Sequence, residues 1–140
     1  MRSTSVRFVD TNVVLYAVSA DPREEAKAST AREVLAERDL GLSTQVLQEF
    51  YVQATRASRE DALTHDQAVD FVTSLGRFPV QSTTPELVHA AMTTRRRFDV
   101  SYWDAAIIEA ARLLGCPEVL SEDLNHGQDY AGVVVTNPFR

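Results

Sequence analysis

The stretch SVRFVDTNVVLYAV, Ser5 to Val18, decides how the chain is read. Its first five residues form a short buried-strand pattern that stops at Asp10. TNVVLYAV behind it reads as the start of a short helix, with Asp10 or Thr11 able to cap it. A strand running directly into a capped helix is the opening unit of an α/β fold. The carboxylate at the junction stands where open parallel sheets bind ligands, beyond the carboxyl end of a strand.

The same alternation continues along the chain. Pro22 to Arg38, PREEAKASTAREVLAER, predicts one exposed amphipathic helix, and its many charges read as a solvated face. Leu40 to Leu42 predicts a strand, with Ser43 or Thr44 capping the helix TQVLQEFYVQATRA. Val46, Leu47, Phe50, Tyr51 and Ala54 form the apolar side of that helix, and Glu49 lies at its border. Thr64 to Gln67 is a capping box that opens a helix through Leu75. After the extended piece FPVQS, Thr84-Pro85 caps a helix that ends near Arg95, Arg96 and Arg97. Ser101 begins SYWDAAIIEAARLLG, closed by Gly115. Cys116 to Leu120 and Gly132 to Val135 are the last expected strands. Strands separated by helices predict a three-layer α/β/α fold with a mostly parallel central sheet.

At 140 residues and 15.6 kDa the chain fits one domain spanning 1–140. No apolar run approaches the roughly 18 residues of a membrane span, and MRSTSVRFVD lacks the pattern of a secretory signal. A cytoplasmic protein with no membrane partner is the expectation. A single cysteine, Cys116, allows neither an internal disulfide nor a thiolate metal cluster. The net charge of −6 excludes coating of nucleic acid by bulk positive charge, although arginines can still form a local track. Lys27 is the one lysine, which also disfavours a phosphoaspartate receiver needing a late lysine.

Four carboxylates occupy special places. Asp10 and Asp123 follow expected strands, Asp104 lies in the first turn of a helix, and Glu49 sits inside one. If the first and fourth strands are neighbours, both strand-end carboxylates open onto one cleft. Like charges so close raise one another's pKa unless a cation neutralises them. Hard carboxylate oxygens select Mg²⁺ or Mn²⁺, which can activate water and stabilise the leaving oxygen in phosphodiester hydrolysis. Asp10 and Asp104 are candidate direct ligands, Asp123 a direct or water-mediated one, and Glu49 the group that orients or deprotonates the attacking water. Asn12 and Ser121 are placed to position solvent or phosphate. Each residue also has an ordinary role: Asp10 as a cap, Glu49 as a border residue, Asp104 in favour with a helix dipole, Asp123 in a turn.

DTNVVLYA (10–17), STQVLQEFY (43–51), SYWDAAIIEAA (101–111) and LSEDLNHGQDYAGVVVTNPF (120–139) together resemble a PIN domain of the VapC toxin type. The resemblance spans nearly the whole chain, and the order and spacing of its motifs make it specific. It implies a Mg²⁺- or Mn²⁺-dependent endoribonuclease, often a homodimer, the toxin of a type II toxin–antitoxin pair. A small cognate antitoxin that also binds DNA would hold it inactive. Asp10, Glu49, Asp104 and Asp123 match the family's acidic positions, and Asn12 and Ser43 its polar support. Asp129 corresponds loosely to an additional acidic residue of some members, and otherwise simply solvates its loop.

Arg95, Arg96, Arg97 and His126 are candidate RNA contacts, against the plainer readings of a solvated helix end and a polar loop residue. Trp103 can stack on a base, although a lone tryptophan in an apolar segment is more often packing. The apolar residues Val14, Tyr16 and Leu47 suggest a surface for a second copy or an antitoxin helix. Competing readings are a PIN-type nuclease acting in RNA processing or on DNA flaps, and a non-catalytic interaction domain or phosphatase-like hydrolase.

Overall fold

The computed structural model describes residues 6–140, so the Ser5 end of the expected first strand lies outside the described residues. Strands β1 (Arg7–Val9), β2 (Leu40–Ser43), β3 (Val80–Gln81), β4 (Glu118–Leu120), β5 (Asp129–Tyr130) and β6 (Val133–Thr136) form a six-stranded sheet in the order β3-β2-β1-β4-β6-β5. All pairs are parallel except β5 with β6. Helices α1 (Thr11–Ala17), α2 (Glu25–Leu35), α3 (Thr44–Ala54), α4 (His65–Leu75), α5 (Pro85–Phe98) and α6 (Tyr102–Leu113) fill the connections, completing the expected α/β/α arrangement.

Strand order reverses at β1. The chain steps outward from β1 to β2 and β3, then returns to β4 on the other side of β1. Parallel crossovers are right-handed, so steps in opposite directions place their helices on opposite faces. α1 accordingly packs on α2 and α3, whereas α5 and α6 pack together and α6 lies over β2, β3, β4 and β6. Phe8, Val9, Leu40, Leu42, Val119 and Leu120 are wholly buried, the continuous burial of strands covered on both faces. In β6, nearer the edge, Val133 and Val135 are buried and Val134 is exposed.

The caps are where the sequence places them. Ser43, Thr64, Thr84 and Ser101 each accept a backbone N–H from the first turn of their helix, and Gln67 completes the box with Thr64. Gly115, at φ +75°, closes α6. Gly41 in β2 serves close packing, because a Cβ there would lie 2.8 Å from Leu114 Cδ1.

Two expectations need correction. Pro22 to Arg38 is not one helix: Pro22–Glu24 is a 3₁₀ turn, and α2 runs only from Glu25 to Leu35. Asp21 accepts the Arg23 N–H at 2.9 Å and tightens the start, while Glu37 is drawn off the helix end to pair with Arg7 of β1. The loop SEDLNHGQDY also contains a strand, β5, which turns back on β6 through Ala131 and Gly132, both at positive φ.

Arg112 anchors that hairpin. Its guanidinium donates to the carbonyls of Tyr130 and Ala131 at 2.7 Å and to Glu109 at 2.9 Å. Glu109 is buried and also accepts the Thr94 hydroxyl at 2.7 Å, so one polar cluster ties α5, α6 and the hairpin together. Replacing Arg112 with Ala leaves a buried carboxylate unpaired. Urea denaturation of Arg112→Ala should show a loss of about 2–3 kcal/mol.

Candidate active site

Parallel pairing sets Val9 opposite Leu120, and the Asp10 N–H donates to the Leu120 carbonyl at 3.0 Å. Asp10 and Ser121 therefore leave the sheet side by side at the carboxyl ends of β1 and β4. Asp10 is buried. Its Oδ1 accepts the Thr11 N–H at 2.7 Å, and its Oδ2 accepts the Ser121 hydroxyl at 2.7 Å and the Asn12 amide at 3.2 Å. The same Asn12 amide donates to Asp123 at 3.1 Å, while the Asn12 carbonyl oxygen accepts the Glu122 N–H at 3.1 Å. Ser121 Oγ further accepts the Asp123 N–H at 3.1 Å. Asn12 and Ser121 thus lock the two strand-end carboxylates into one frame.

Helices bring the other two acids. The Glu49 carboxylate accepts the Thr11 hydroxyl at 2.7 Å and the Gln45 amide at 3.3 Å. Asp104 sits in the first turn of α6, where its N–H donates to Ser101 Oγ at 3.0 Å. Asp10, Glu49, Asp104 and Asp123 line one cleft of about 160 Å³, together with Thr11, Asn12, Gln45 and Trp103. Burial raises the Asp10 carboxyl to about 6; its hydrogen bonds oppose the rise, and Asp123 and Glu49 add to it. The Asp104 carboxyl is also raised, first by desolvation and further by Asp123 and Glu49.

Residues 7–129 match the model of the PIN domain. The chain belongs to the PIN domain family. Its fold is similar to that of the sarcin–ricin-loop-cleaving toxin VapC20 of Mycobacterium tuberculosis (23% identity, 84% of this chain and 91% of that one, TM-score 0.65). It is likewise similar to a toxin–antitoxin complex from Klebsiella pneumoniae (20% identity, 96% and 98% covered, TM-score 0.67). DNA-bound VapBC from Salmonella typhimurium also shares it (17% identity, 96% and 99% covered, TM-score 0.67). At these identities the likeness is one of fold. No match is found among curated protein sequences.

Other candidate residues of this PIN domain fall elsewhere. Ser43 is buried as the cap of α3, accepting the Val46 N–H at 3.3 Å, so it orients the helix that carries Glu49. Asp129 is in edge strand β5, where it accepts the Gly132 N–H at 2.7 Å, and it does not line the cleft. Arg95, Arg96 and Arg97 are exposed in the last turn of α5, likewise outside the cleft lining. His126 Nδ1 accepts the Asn137 N–H at 2.9 Å, which pins the ring to the chain's end. Val14 is fully buried and cannot form a docking face. The exposed apolar groove lies instead between α3 and α4, along Leu47, Tyr51, Val52, Val69 and Val72. Trp103 is no packing residue, being 64% exposed at the cleft mouth.

Sequence reasoning missed three residues. Thr11 and Gln45 hold Glu49, and Arg59 lines a depression beside the cleft with Asn12 and Asp123. The first two stand inside the DTN and STQVLQEF motifs, but their bonds to Glu49 depend on the packing of α1 against α3 and on the rotamers within α3. Arg59 comes from a stretch without motif. A larger hollow of about 600 Å³ lies around Asp21, Arg23, Arg59 and Asp61, but those charges are already paired with one another, Asp21 with Arg23 and Arg59 with Asp61. Among the described residues, no lysine or arginine lines the smaller cleft with its carboxylates.

That donor set fits a hard divalent ion. It is all oxygen, it comes from four segments, and burial together with the charges of Asp123 and Glu49 raises the carboxyls of Asp10 and Asp104. By count, Asp10 still has one lone-pair site free after its three hydrogen bonds. Among the described residues, no three acidic, histidine or cysteine side chains form a ready-made cage. Mg²⁺ does not need one, since it keeps several waters and binds through one or two carboxylates.

The buried acid has a consequence for stability. Its folded pKa of about 6 exceeds the ordinary 3.8, so the unfolded chain ionises first and Asp10 costs the fold stability as pH rises from about 4 to 6. In metal-free buffer, the stability of Asp10→Asn relative to wild type should move in the variant's favour by up to about 3 kcal/mol between pH 4 and pH 7.5. Paired urea melts at the two pH values measure it, and equal slopes for both proteins would contradict the assignment.

Proposed function

We propose that this PIN domain, spanning 1–140, is a Mg²⁺- or Mn²⁺-dependent endoribonuclease acting in the cytoplasm as the toxin of a toxin–antitoxin pair. The observation that carries the reading is the convergence of Asp10, Glu49, Asp104 and Asp123 on one cleft at the point where strand order reverses. Asp10, Asp104 and Asp123 would hold the ion. Bound there, it supplies a Lewis acid for the phosphodiester and a water of lowered pKa.

The chain's own groups do the rest. Asn12 and Ser121 keep Asp10 and Asp123 in register. Glu49, each of its oxygens held by a donor, orients the attacking water and accepts its proton. Arg59 is bonded to Asp61 through Nε, and its terminal guanidinium nitrogens can meet a phosphate next to Asp123.

The similar proteins support the biological role, since one cleaves the sarcin–ricin loop and another is a toxin–antitoxin complex. A small antitoxin and a second copy of the chain are the protein partners in this reading. The apolar groove between α3 and α4 supports a protein partner on that face.

Purified protein and Asp10→Asn are incubated with total cellular RNA in Mg²⁺, Mn²⁺ or EDTA, and new ends are mapped. Discrete cleavage that requires the metal is expected. Asp10→Asn should reduce it by more than the roughly 10- to 100-fold typical of outer-shell changes at metal sites. Well-folded, antitoxin-free protein that cleaves nothing in either metal would falsify the reading.

A further inference from the structure

Beside the acidic cleft, and sharing Gln45 and Trp103 with it, lies a second hollow of about 440 Å³. Its wall is made by Thr44, Gln45, Gln48, Ser82, Thr83 and Trp103, from the start of α3, the segment after β3 and the first turn of α6. The mechanism above uses none of these groups except Gln45. We propose that this hollow is a nucleobase subsite, in which Trp103 stacks on the base of single-stranded RNA next to the scissile phosphate. The proposal rests on the ribonuclease reading and deepens it.

Three observations carry it. First, Trp103 is 64% exposed although its neighbours in α6, Ala105 to Ala111, are buried. An aromatic exposed at the rim of the acidic cleft offers a π-face on which a base can stack. The Tyr102 and Trp103 rings are T-shaped, 5.0 Å between centroids and 85° between planes. That contact braces the indole and occupies at most one of its two faces, so the other can take a base.

Second, the two sites are mechanically one. The Gln45 amide donates to the Trp103 carbonyl at 3.2 Å and to Glu49 at 3.3 Å, so one side chain spaces the aromatic platform from the carboxylate assigned to the water. A base seated on Trp103 would place its own backbone phosphate at the cleft. Third, the lining apart from Tyr102, Trp103 and Ala106 is polar and uncharged. Thr44 and Thr83 are linked through their hydroxyls at 3.1 Å, and Gln48 is exposed beside them. Amide and hydroxyl groups can donate to and accept from base edges, whereas among the described residues no carboxylate lines this hollow to repel the phosphates that flank a base. The volume lies within the range of small-molecule sites.

Trp103 is the chain's one tryptophan, so its fluorescence reports from the subsite alone. Pentamers of U, C, A and G are titrated into the protein in Ca²⁺, with their intactness checked on gels, and end-labelled pentamers give affinities by anisotropy. Saturable quenching with at least one pentamer is expected. Trp103→Ala should weaken binding by about 5- to 150-fold, the span of one stacked base, and Trp103→Phe should recover most of the loss. Gln48→Ala, in the polar lining of the hollow, should alter the order of preference among the four bases. Binding or cleavage of RNA by the wild type with unchanged tryptophan fluorescence overturns the subsite and leaves the ribonuclease reading intact. So does a Trp103→Ala variant that binds as the wild type does. If the wild type neither binds nor cleaves any RNA, the ribonuclease reading itself fails and the subsite with it.

Discussion

The parallel pairing of β1 with β4 is the constraint on which the rest depends. With Val9 opposite Leu120, the chain emerges from two neighbouring strands at the same level, and Asp10 and Asp123 have nowhere to point but a shared crevice. Right-handed crossovers then require helices on both faces. Of these, α3 on one side and α6 on the other bring Glu49 and Asp104 to the same opening. The site is a product of strand order, with no one segment containing it.

Assembling four acids in this way works against stability. Asp10 is buried with a carboxyl pushed up to about 6, and Asp104 is raised in the same direction. The fold offsets this with hydrogen bonds aimed at the carboxylates from Thr11, Asn12, Ser121 and Gln45, neutral donors that position charge without cancelling it. Some acids elsewhere are ion-paired, as Glu122 is with Lys27 and Glu109 with Arg112. The cleft differs in gathering four carboxylates on one opening, and such a group is the natural seat of a cation.

The negative net charge shapes how a nucleic acid would be met. Arg59 supplies positive charge beside the cleft, and its tether to Asp61 fixes its position. Among the described residues Arg59 is the one basic side chain lining the cleft or the depression beside it, so the proposed recognition of RNA leans on stacking and on the polar groups of the hollow beside Trp103. Such contacts are less sensitive to salt than phosphate contacts, and they favour unpaired bases over duplex.

Local chemistry made much of this legible from the sequence. Caps at Ser43, Thr64, Thr84 and Ser101, the proline at the start of α5 and the glycine after α6 each act within a few residues, so periodicity and capping placed those helices. The acidic positions and the DTN motif could be picked out for the same reason. What escaped was set by distance or by an unusual local choice. The β5–β6 hairpin was hidden because its turn is Ala131-Gly132, where an asparagine or aspartate ordinarily signals two successive positive-φ residues. Arg59 acquired its place from a loop that folds back beside Asp123, and Trp103 its exposure from where α6 begins at the cleft rim. Val14, indistinguishable in sequence from a surface apolar residue, was drawn into the core when α1 packed on α2 and α3. The sequence by itself determined the elements and the acids, because both are properties of short segments. Only the tertiary structure decided which acids meet, which aromatic stays in water and which donors hold the charges, because those follow from strand order and packing across more than a hundred residues of chain.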